Sequence, residues 1–579
     1  MTDTAHQISL RHNHQADEES TLESSNSNNN ESNKDKQQQH QHQQQHHHHD
    51  NDDQHGTKWL TTEFIIYYVI IIIGYLICIN KILNSSRDYN DGLKNSAGIV
   101  PGWFIGRKQD LSDSQYRTWR GNFPLLSIGL SIFIALSTII RKYGGSSINN
   151  INSRLLYYII ASLLFLLFVH GSSTIIIVAI ALSNFGISRF FARSSLLPLV
   201  TWAFNGFILW TSYIYSGYQF SSLAILGSYG PLLDSYHGSL AWETYFKMSM
   251  LRFISYNMDY YWMMMKRPVV DTKDKDDYFV LQETHLAHEH QYDITHYLAY
   301  IFYIPLYIAG PIITFNAFVG QVYAPQRTYT LAQLVKMSIN IVLIFFAVEI
   351  GLHYSYYYSF DRSDVWMSLG GDEIALMGYM VLNFMYLKFL IIWRVFRLFA
   401  LYDGINTPEN MNRCVNNNYT FTGFWRSWHA SFNKWTLRYL YIPLGGNRTR
   451  HITVWIIFFF IGLWHDLWWS WVAWALLNCV FFTAEIGVMT YFYSPKRLPL
   501  RRTWYWRYVV AVAGTFNIYL LMIANLAILH GFANSILFIK LCFFGEGGLR
   551  TFIFSYVWLF SGISLMIEQR EHESRAKAN

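Results

Sequence analysis

The sequence predicts an all-α, polytopic membrane protein of about eleven transmembrane helices with additional re-entrant segments. Hydrophobic residues make up 52% of the 579 residues and charged residues only 14%, whereas about a quarter of a typical soluble domain is charged. Apolar runs of about 20 residues, the length that crosses a bilayer, recur along the chain. Positive charges lie between these runs, as they do in membrane proteins. Because the positive charges are scattered rather than gathered on one element, nucleic acid is a poor candidate partner.

The first 58 residues differ in composition from the rest of the chain. They are rich in Ser, Asn, Gln and His, and residues 1–55 hold three Lys or Arg against ten Asp or Glu. Such a segment buries too little apolar surface to offset its ordering entropy, so we predict that 1–58 is disordered. The His tract at 46–49 is interpreted as compositional drift rather than as a metal site. The membrane domain is then 59–570, followed by a polar tail at 571–579.

Eleven apolar segments are long enough to count as membrane spans. They are 63–83, 123–140, 155–182, 196–216, 297–318, 333–357, 373–400, 452–468, 469–492, 507–530 and 551–568. The aromatic stretch 416–445 is interrupted by polar residues, which indicates backbone that lines a cavity or lies at the membrane interface. The sequence has no visible internal repeat, whereas inverted repeats are common in secondary transporters.

Two basic clusters predict the topology of the segment 452–492. Arg448 and Arg450 precede the segment, and four basic residues follow it between 496 and 502. By the positive-inside rule both clusters lie in the cytosol, so the segment between them is a helical hairpin that enters the membrane and returns. His465 lies 13 residues beyond the start of this segment, about 20 Å along a helix. We therefore predict that His465 lies in the lumenal or exterior half of the membrane.

His465 is the strongest candidate for a functional residue. It stands in Ile-Gly-Leu-Trp-His-Asp-Leu-Trp-Trp-Ser-Trp at 461–471, next to Asp466. An ionisable side chain is costly to bury in a membrane, and its presence there indicates function. Imidazole titrates near neutrality, so His465 can take a proton from a hydroxyl acceptor without prior activation.

Two motifs upstream of His465 carry a family resemblance. They read Phe-Trp-Arg-Ser-Trp-His-Ala-Ser-Phe-Asn-Lys-Trp at 424–435 and Leu-Tyr-Ile-Pro-Leu-Gly-Gly-Asn at 440–447. Together with 461–471, they resemble the motifs of the membrane-bound O-acyltransferase superfamily. The segments 252–260 and 303–315 resemble the branch that contains hedgehog acyltransferase and the fungal glycerol uptake proteins. The resemblance runs from about residue 60 to the C-terminus.

The resemblance implies a tunnel that crosses the membrane, which acyl-CoA enters from the cytosol and the acceptor from the lumen. It assigns the family's catalytic histidine to His465 and the second active-site position to His429. The chemistry agrees, because acyl transfer from a thioester needs a base for the attacking hydroxyl and donors for the developing oxyanion. His465 can be the base. His429, with Asn433 one turn later, can orient the acyl carbonyl if that stretch is helical.

Five further residues have less specific interpretations. Arg394 and Arg397 end an apolar run, where they can meet the phosphates of acyl-CoA or act as a positive-inside anchor. The resemblance also covers a loop whose cysteine binds haem in the hedgehog branch. For Cys414, a haem ligand, a plain loop cysteine and an acylation site all stay open. Asp259 and Glu349 are predicted to pair with cations inside the helix bundle, as structural groups.

The function that the resemblance implies is O-acylation in the endoplasmic reticulum membrane, with the plasma membrane as a further location. The enzyme would return a long or very long acyl chain to the lyso-lipid of a GPI anchor. Its partners would be acyl-CoA, GPI-anchored proteins and membrane lipids. One alternative is a protein acyltransferase of the hedgehog type. Another is a glycerol transporter, although the missing repeats and the acyltransferase motifs favour an indirect effect on glycerol uptake through lipid metabolism.

Overall fold

The structure is a computed structural model that describes most of the chain. The described residues are 58–88, 98–144, 147–266, 287–325, 328–361, 363, 366–367 and 369–578. Apart from Lys58, the predicted disordered tail 1–58 lies outside these residues.

Helices make up almost all of the regular structure in the described residues, which confirms the all-α prediction. In chain order they are α1 (Thr62–Asp88), α2 (Ser114–Tyr143), α3 (Ser147–His170), α4 (Thr174–Phe190), α5 (Leu197–Ile214), α6 (Tyr229–Ser235), α7 (Trp242–Met264), α8 (Ile294–Ile301), α9 (Ile304–Tyr307), α10 (Phe315–Tyr323), α11 (Leu331–Tyr354), α12 (Tyr357–Asp361), α13 (Gly371–Tyr402), α14 (Phe421–Ser427), α15 (Ala430–Thr436), α16 (Arg450–His465), α17 (Trp469–Phe492), α18 (Leu498–Arg501), α19 (Trp506–His530), α20 (Phe532–Ile539) and α21 (Gly548–Ala578). Two short antiparallel strands, β1 (Ile99–Pro101) and β2 (Lys108–Asp110), pair with Val100 opposite Gln109.

The chain divides into two compact units. The described part of the smaller unit is 58–68 and 568–578, where the backbone N–H of Lys58 donates to Glu568 (3.2 Å). The polar C-terminal segment predicted at 571–579 continues α21 as far as Ala578. The larger unit, Val69–Ile567, contains all the sites described below.

Eight helices of the described residues are long and apolar enough to cross a membrane. They are α1, α2, α3, α11, α13, α17, α19 and α21. Large apolar side chains such as Ile72, Ile132 and Leu343 are more than half exposed on these helices. An exposed apolar surface of this extent suits contact with lipid, and the chain is accordingly a multi-pass membrane protein.

The predicted span 155–182 is broken in the structure. Its first part ends α3 at His170 and its second part begins α4 at Thr174. Between them Gly171 has a φ of +57°, a left-handed conformation that glycine adopts without a steric penalty. The backbone of Gly171 also pairs with that of His237 in an isolated β-bridge, so the chain leaves the helix here.

The predicted span 297–318 is likewise discontinuous and contains the end of α8, α9 and part of α10. Pro305 lacks an N–H group, so it cannot continue the hydrogen-bond ladder of α8. The guanidinium of Arg252 donates to the carbonyl oxygens of Ile301 (2.6 Å) and Leu306. Arg252 thereby satisfies the carbonyl of Ile301, which Pro305 cannot pair with, and adds a donor to the carbonyl of Leu306 beyond the break.

The carboxylate of Glu349, on α11, is buried among hydrogen-bond donors and pairs with a cation, as predicted from the sequence. Arg120 of α2 donates to both of its oxygens at 2.8 Å. Tyr116 (2.7 Å), Gln109 (2.9 Å) and Trp103 (3.0 Å) donate as well. These hydrogen bonds join α11 to the start of α2 and to β2.

Asp259 of α7 also pairs with a cation, as predicted. The guanidinium of Arg438 lies 3.0 Å from Oδ1 of Asp259, and the hydroxyl of Tyr439 donates to the same oxygen at 3.0 Å. Arg438 and Tyr439 belong to a π-helical turn, Leu437–Tyr441, that follows α15. The ion pair therefore fixes the end of α15 against α7.

The hairpin predicted from the basic clusters is present as α16 and α17. Val454 and Phe458 pack in one cluster with Cys479 and Ile486, so the two helices are antiparallel. At Gly462 a Cβ atom would lie only 3.0 Å from the carbonyl oxygen of Trp471, so glycine permits the close approach of the two helices. Both basic ends of the hairpin therefore lie on one side, and His465 lies at the turn.

Replacing Glu349 by alanine should lower the free energy of unfolding by about 3–5 kcal/mol, because the buried donors Tyr116 and Gln109 and the partly buried guanidinium of Arg120 lose their shared acceptor. Thermal unfolding of the purified protein in detergent measures this loss. Glu546, which is exposed, provides the matched control Glu546→Ala. An equal melting temperature for the two variants would contradict the structural role of Glu349.

Candidate active site

A cavity of about 1580 Å³ lies inside the larger unit. Its walls are mainly apolar and aromatic, and α2, α3, α7, α13, α14, α15, α16, α17 and α19 contribute to them. His429, Asn433 and His465 all line this cavity, so the structure brings three predicted site residues together. The stretch 416–445 supplies several of the other lining residues, as predicted for backbone at a cavity.

His465 is the last residue of α16 and is held between indole rings. Its imidazole stacks on Trp471 with centroids 4.5 Å apart and planes inclined by 12°. Trp464 meets it edge-on at 4.8 Å, and Trp474 lies perpendicular at 6.2 Å. These contacts restrict rotation of the ring while leaving its nitrogens for a substrate.

Neither imidazole nitrogen of His465 makes a hydrogen bond within the described residues. The carboxylate of Asp466 accepts from the backbone N–H of Leu467 (2.8 Å) instead. Asp466 therefore stabilises the turn after α16, and the neighbour noted in the sequence does not orient the ring. The ammonium of Lys247, from α7, donates to the backbone carbonyl of His465 at 2.5 Å.

His429 precedes α15 in a left-handed backbone conformation, with φ of 48° and ψ of 50°. This conformation costs a non-glycine residue roughly 1–2 kcal/mol, so neighbouring contacts must hold it. The backbone N–H groups of Ala430 and Ser431 donate to the carbonyl (3.0 Å) and the side-chain oxygen (3.1 Å) of Asn410. Residues 411 and 428 also pair in a β-bridge. Strain of this kind is concentrated at functional sites.

The ring of His429 is stacked between Trp393 (4.5 Å, 18°) and Phe432 (5.2 Å, 24°). Phe432 in turn stacks on Trp464 at 4.7 Å, and Trp464 contacts His465. A continuous series of rings therefore connects the two histidines along the cavity wall. Nε2 of His429 is buried and has no hydrogen-bond partner within the described residues.

Asn433 follows His429 by one helical turn, as predicted for a helical stretch. Its backbone N–H donates to the carbonyl of His429 at 3.1 Å. The side-chain amide makes no hydrogen bond in the part of the chain that the structure describes. A cavity-lining amide of this kind can bind a polar group of a substrate.

The cavity wall carries further donors that the sequence analysis did not single out. The indole N–H groups of Trp119, Trp425 and Trp474 are buried and unpartnered among the described residues, and all three residues line the cavity. Such groups are costly to bury without a partner, and a bound substrate can supply one. Of the three, only Trp425 lies in a motif described above, and the motif did not indicate that its indole group lacks a protein partner.

The cavity extends along the whole length of α16, since both the first and the last residue of that helix line it. Asn447 and Arg450 line it at the start of α16, whereas His465 and Lys247 line it at the other end of that helix. The two ends of α16 are about 22 Å apart at 1.5 Å per residue. Substrates can thus approach the two histidines from opposite ends.

Comparison with known proteins identifies the family. The model of the membrane-bound O-acyltransferase family matches residues 219–532, which include His429 and His465. The chain is 34% identical over 540 residues to the membrane-bound O-acyltransferase gup1 of Schizosaccharomyces pombe, covering 89% of this chain and 90% of that protein. It is 34% identical over 532 residues to the membrane-bound O-acyltransferase GUP1 of Saccharomyces cerevisiae, covering 89% and 92%. Over 216 residues it is 30% identical to the protein-cysteine N-palmitoyltransferase HHAT of Mus musculus, covering 34% and 41%.

The chain belongs to the membrane-bound O-acyltransferase family. This confirms the family predicted from the motifs around His429 and His465, and the protein is therefore an acyltransferase. In this acyltransferase the matched region begins before α7 and contains the complete α16–α17 hairpin.

Arg394 and Arg397 of α13 do not line the cavity of this acyltransferase. Both guanidinium groups lie near the carboxylate of Glu409, at 3.4 Å for Arg394 and 3.8 Å for Arg397. Arg397 also donates to the carbonyl of Thr407 (2.9 Å) and to the hydroxyl of Tyr329 (3.1 Å). These contacts give the two arginines a structural role in fixing the loop after α13, and we do not retain them as ligands of acyl-CoA.

Cys414 is exposed and does not line the cavity. Its carbonyl accepts from Asn417 (2.9 Å) and from the side chain of Asn418 (3.1 Å), and its thiol interacts with the hydroxyl of Tyr386. A haem would need an apolar cleft beside an available thiolate. The surroundings of Cys414 do not fit that requirement, so no step of the chemistry is assigned to haem.

Substitutions at His429 should separate its conformation from its chemistry. His429→Ala should lower kcat by about 10²-fold, the usual effect of losing one oxyanion donor. His429→Asn should retain more activity, because asparagine tolerates the left-handed conformation and its amide can donate. His429→Gly keeps the backbone conformation without a donor, so it should be as impaired as the alanine variant. Wild-type turnover by His429→Gly would show that only the backbone conformation matters.

Proposed function

We propose that the protein transfers a long or very long acyl chain from acyl-CoA to the lyso-lipid of GPI anchors in the endoplasmic reticulum membrane. The observation that supports this proposal most is the single cavity that holds both histidines and opens toward basic residues at one end. A long apolar cavity stabilises a bound acyl chain by roughly 0.8 kcal/mol per buried CH₂ group.

In the proposed reaction, His465 removes the proton from the acceptor hydroxyl as the oxygen attacks the thioester carbonyl. The C–O bond forms while the carbonyl π electrons move to oxygen, and donors from His429 and Asn433 stabilise that oxyanion. Collapse of the tetrahedral intermediate breaks the C–S bond. The imidazolium of His465 then returns its proton to the departing CoA sulfur.

Arg426 and Arg450 are the proposed contacts for the phosphates of acyl-CoA. Both line the cavity, Arg426 from α14 and Arg450 from the start of α16, and neither forms an ion pair in the described residues. Guanidinium groups bind phosphates well because their N–H donors form a rigid fork. This arrangement would direct the thioester from that end toward His465, about one helix length away.

A lipid acceptor is supported by the outer wall of the cavity. Leu125 of α2 and Leu164 and Phe168 of α3 line the cavity, yet 58%, 63% and 66% of their surfaces are exposed. Gly129 also lines the cavity, and a Cβ there would have no atom within 4 Å. Because exposed apolar surface on spanning helices faces lipid, an acceptor can enter sideways from the bilayer. A protein amine, as in the name of the mouse relative, would not need such a route.

Replacing His465 by alanine should block remodelling while leaving a membrane-inserted protein. Loss of a general base typically costs 10²–10⁴-fold in rate. Mass spectrometry of GPI-anchor lipids from cells that contain only the variant should reveal accumulated lyso species. His451 lies on the same helix, is exposed and does not line the cavity, so His451→Ala is the matched control. Complete remodelling by a well-expressed His465→Ala protein would overturn the proposal.

A further inference from the structure

Lys247 and the end of α16 are joined by two reciprocal hydrogen bonds. The ammonium of Lys247 donates to the backbone carbonyl of His465 at 2.5 Å. The indole N–H of Trp464 donates to the backbone carbonyl of Lys247 at 2.8 Å. Lys247, Trp464 and His465 all line the cavity. A residue 218 positions earlier in the chain therefore contacts the backbone of His465 directly.

The electrostatics of this contact are favourable. The carbonyl of His465 is one of the last four of α16, which have no partner within the helix and carry the negative end of its dipole. The N–H of Asp466 donates to the carbonyl of Gly462 (3.1 Å), and the backbone of Asp466 is extended, so the helix ends here. An ammonium group satisfies the free carbonyl better than a neutral donor, because it adds charge to the hydrogen bond.

The carboxylates of Glu243 and Asp466 both interact electrostatically with Lys247. Glu243 precedes Lys247 by one turn of α7, and Asp466 follows His465. The two carboxylates favour the charged form of the ammonium and oppose the cost of its burial. The hydrogen bond of the ammonium goes to the backbone carbonyl of His465 rather than to the imidazole.

The imidazole of His465 has no hydrogen bond of its own within the described residues. Its position therefore depends on stacking with Trp471 and on the placement of its backbone. We propose that Lys247 is a positioning residue that fixes His465 for proton transfer by holding its carbonyl against α7. This inference rests on the proposed role of His465 as the base.

The side-chain contact can be removed without removing its reciprocal partner. In Lys247→Met the bond from Trp464 to the backbone carbonyl of residue 247 can persist, and the apolar stem is largely retained. The variant therefore tests the ammonium alone. Lys247→Arg restores a cationic donor. Lys336 of α11 is exposed and outside the cavity, so Lys336→Met is a control for loss of a positive charge.

Turnover and acyl-CoA saturation should be measured for the purified wild type and the three variants, with thermal unfolding recorded for each. Lys247→Met should lower kcat by about 10²-fold at an unchanged KM for acyl-CoA, since small misplacements of a reacting group have effects of this size. Lys247→Arg should recover most of the turnover, and Lys336→Met should match the wild type. The melting temperatures should be similar.

Three outcomes would overturn the positioning role. They are wild-type kcat in Lys247→Met, a raised KM with kcat unchanged, and a Lys247→Arg variant as impaired as Lys247→Met. Assaying His465→Ala in the same series separates the two hypotheses. Full activity in His465→Ala removes the proposed function itself, whereas an inactive His465→Ala beside a fully active Lys247→Met removes only the role of Lys247.

Discussion

The need to satisfy polar groups away from water shapes the interior of this protein. In a membrane, a buried charge without a partner is costly, so each must find donors or acceptors within the protein. Glu349 and Asp259 meet this demand through several donors each. Asp403, at the end of α13, accepts from Ser137 (2.5 Å) and Tyr158 (2.5 Å) and lies 3.6 Å from Arg154. These clusters join helices that are far apart in the sequence.

The two histidines differ from those clusters in a way that supports their proposed chemistry. Their rings are held by aromatic stacking rather than by hydrogen bonds within the described residues, so their nitrogens stay available at the cavity wall. Stacking fixes the plane of each ring without consuming a donor or acceptor. The left-handed backbone of His429 and the turn after His465 then set where the two rings lie on the cavity wall.

Sequence patterns predicted the all-α class, the antiparallel hairpin and the pairing of both Asp259 and Glu349 with cations. Each of these features depends on local periodicity or on the cost of a buried charge. The motifs also led to His429, Asn433 and His465 on one cavity. The breaks at Gly171 and Pro305 were missed, because hydropathy over a long window does not register one residue. Contacts between distant parts of the chain could not be predicted from one sequence. One example is the hydrogen bond from Lys247 to the carbonyl of His465. Another is the hydrogen bond from Arg397 to Thr407 in the loop after α13.

The central claim is that donor and acceptor meet at His465 from opposite sides of the membrane. It can be tested with sealed microsomes that contain the protein, by adding isotope-labelled acyl-CoA outside and following the label in GPI lipid. The account predicts that GPI lipid becomes labelled only when His465 is present. It also predicts that a phosphatidylinositol-specific phospholipase added outside cleaves the labelled lipid only after the vesicles are opened. Labelled product that is cleaved in intact vesicles, or that forms equally well with His465→Ala, would contradict it.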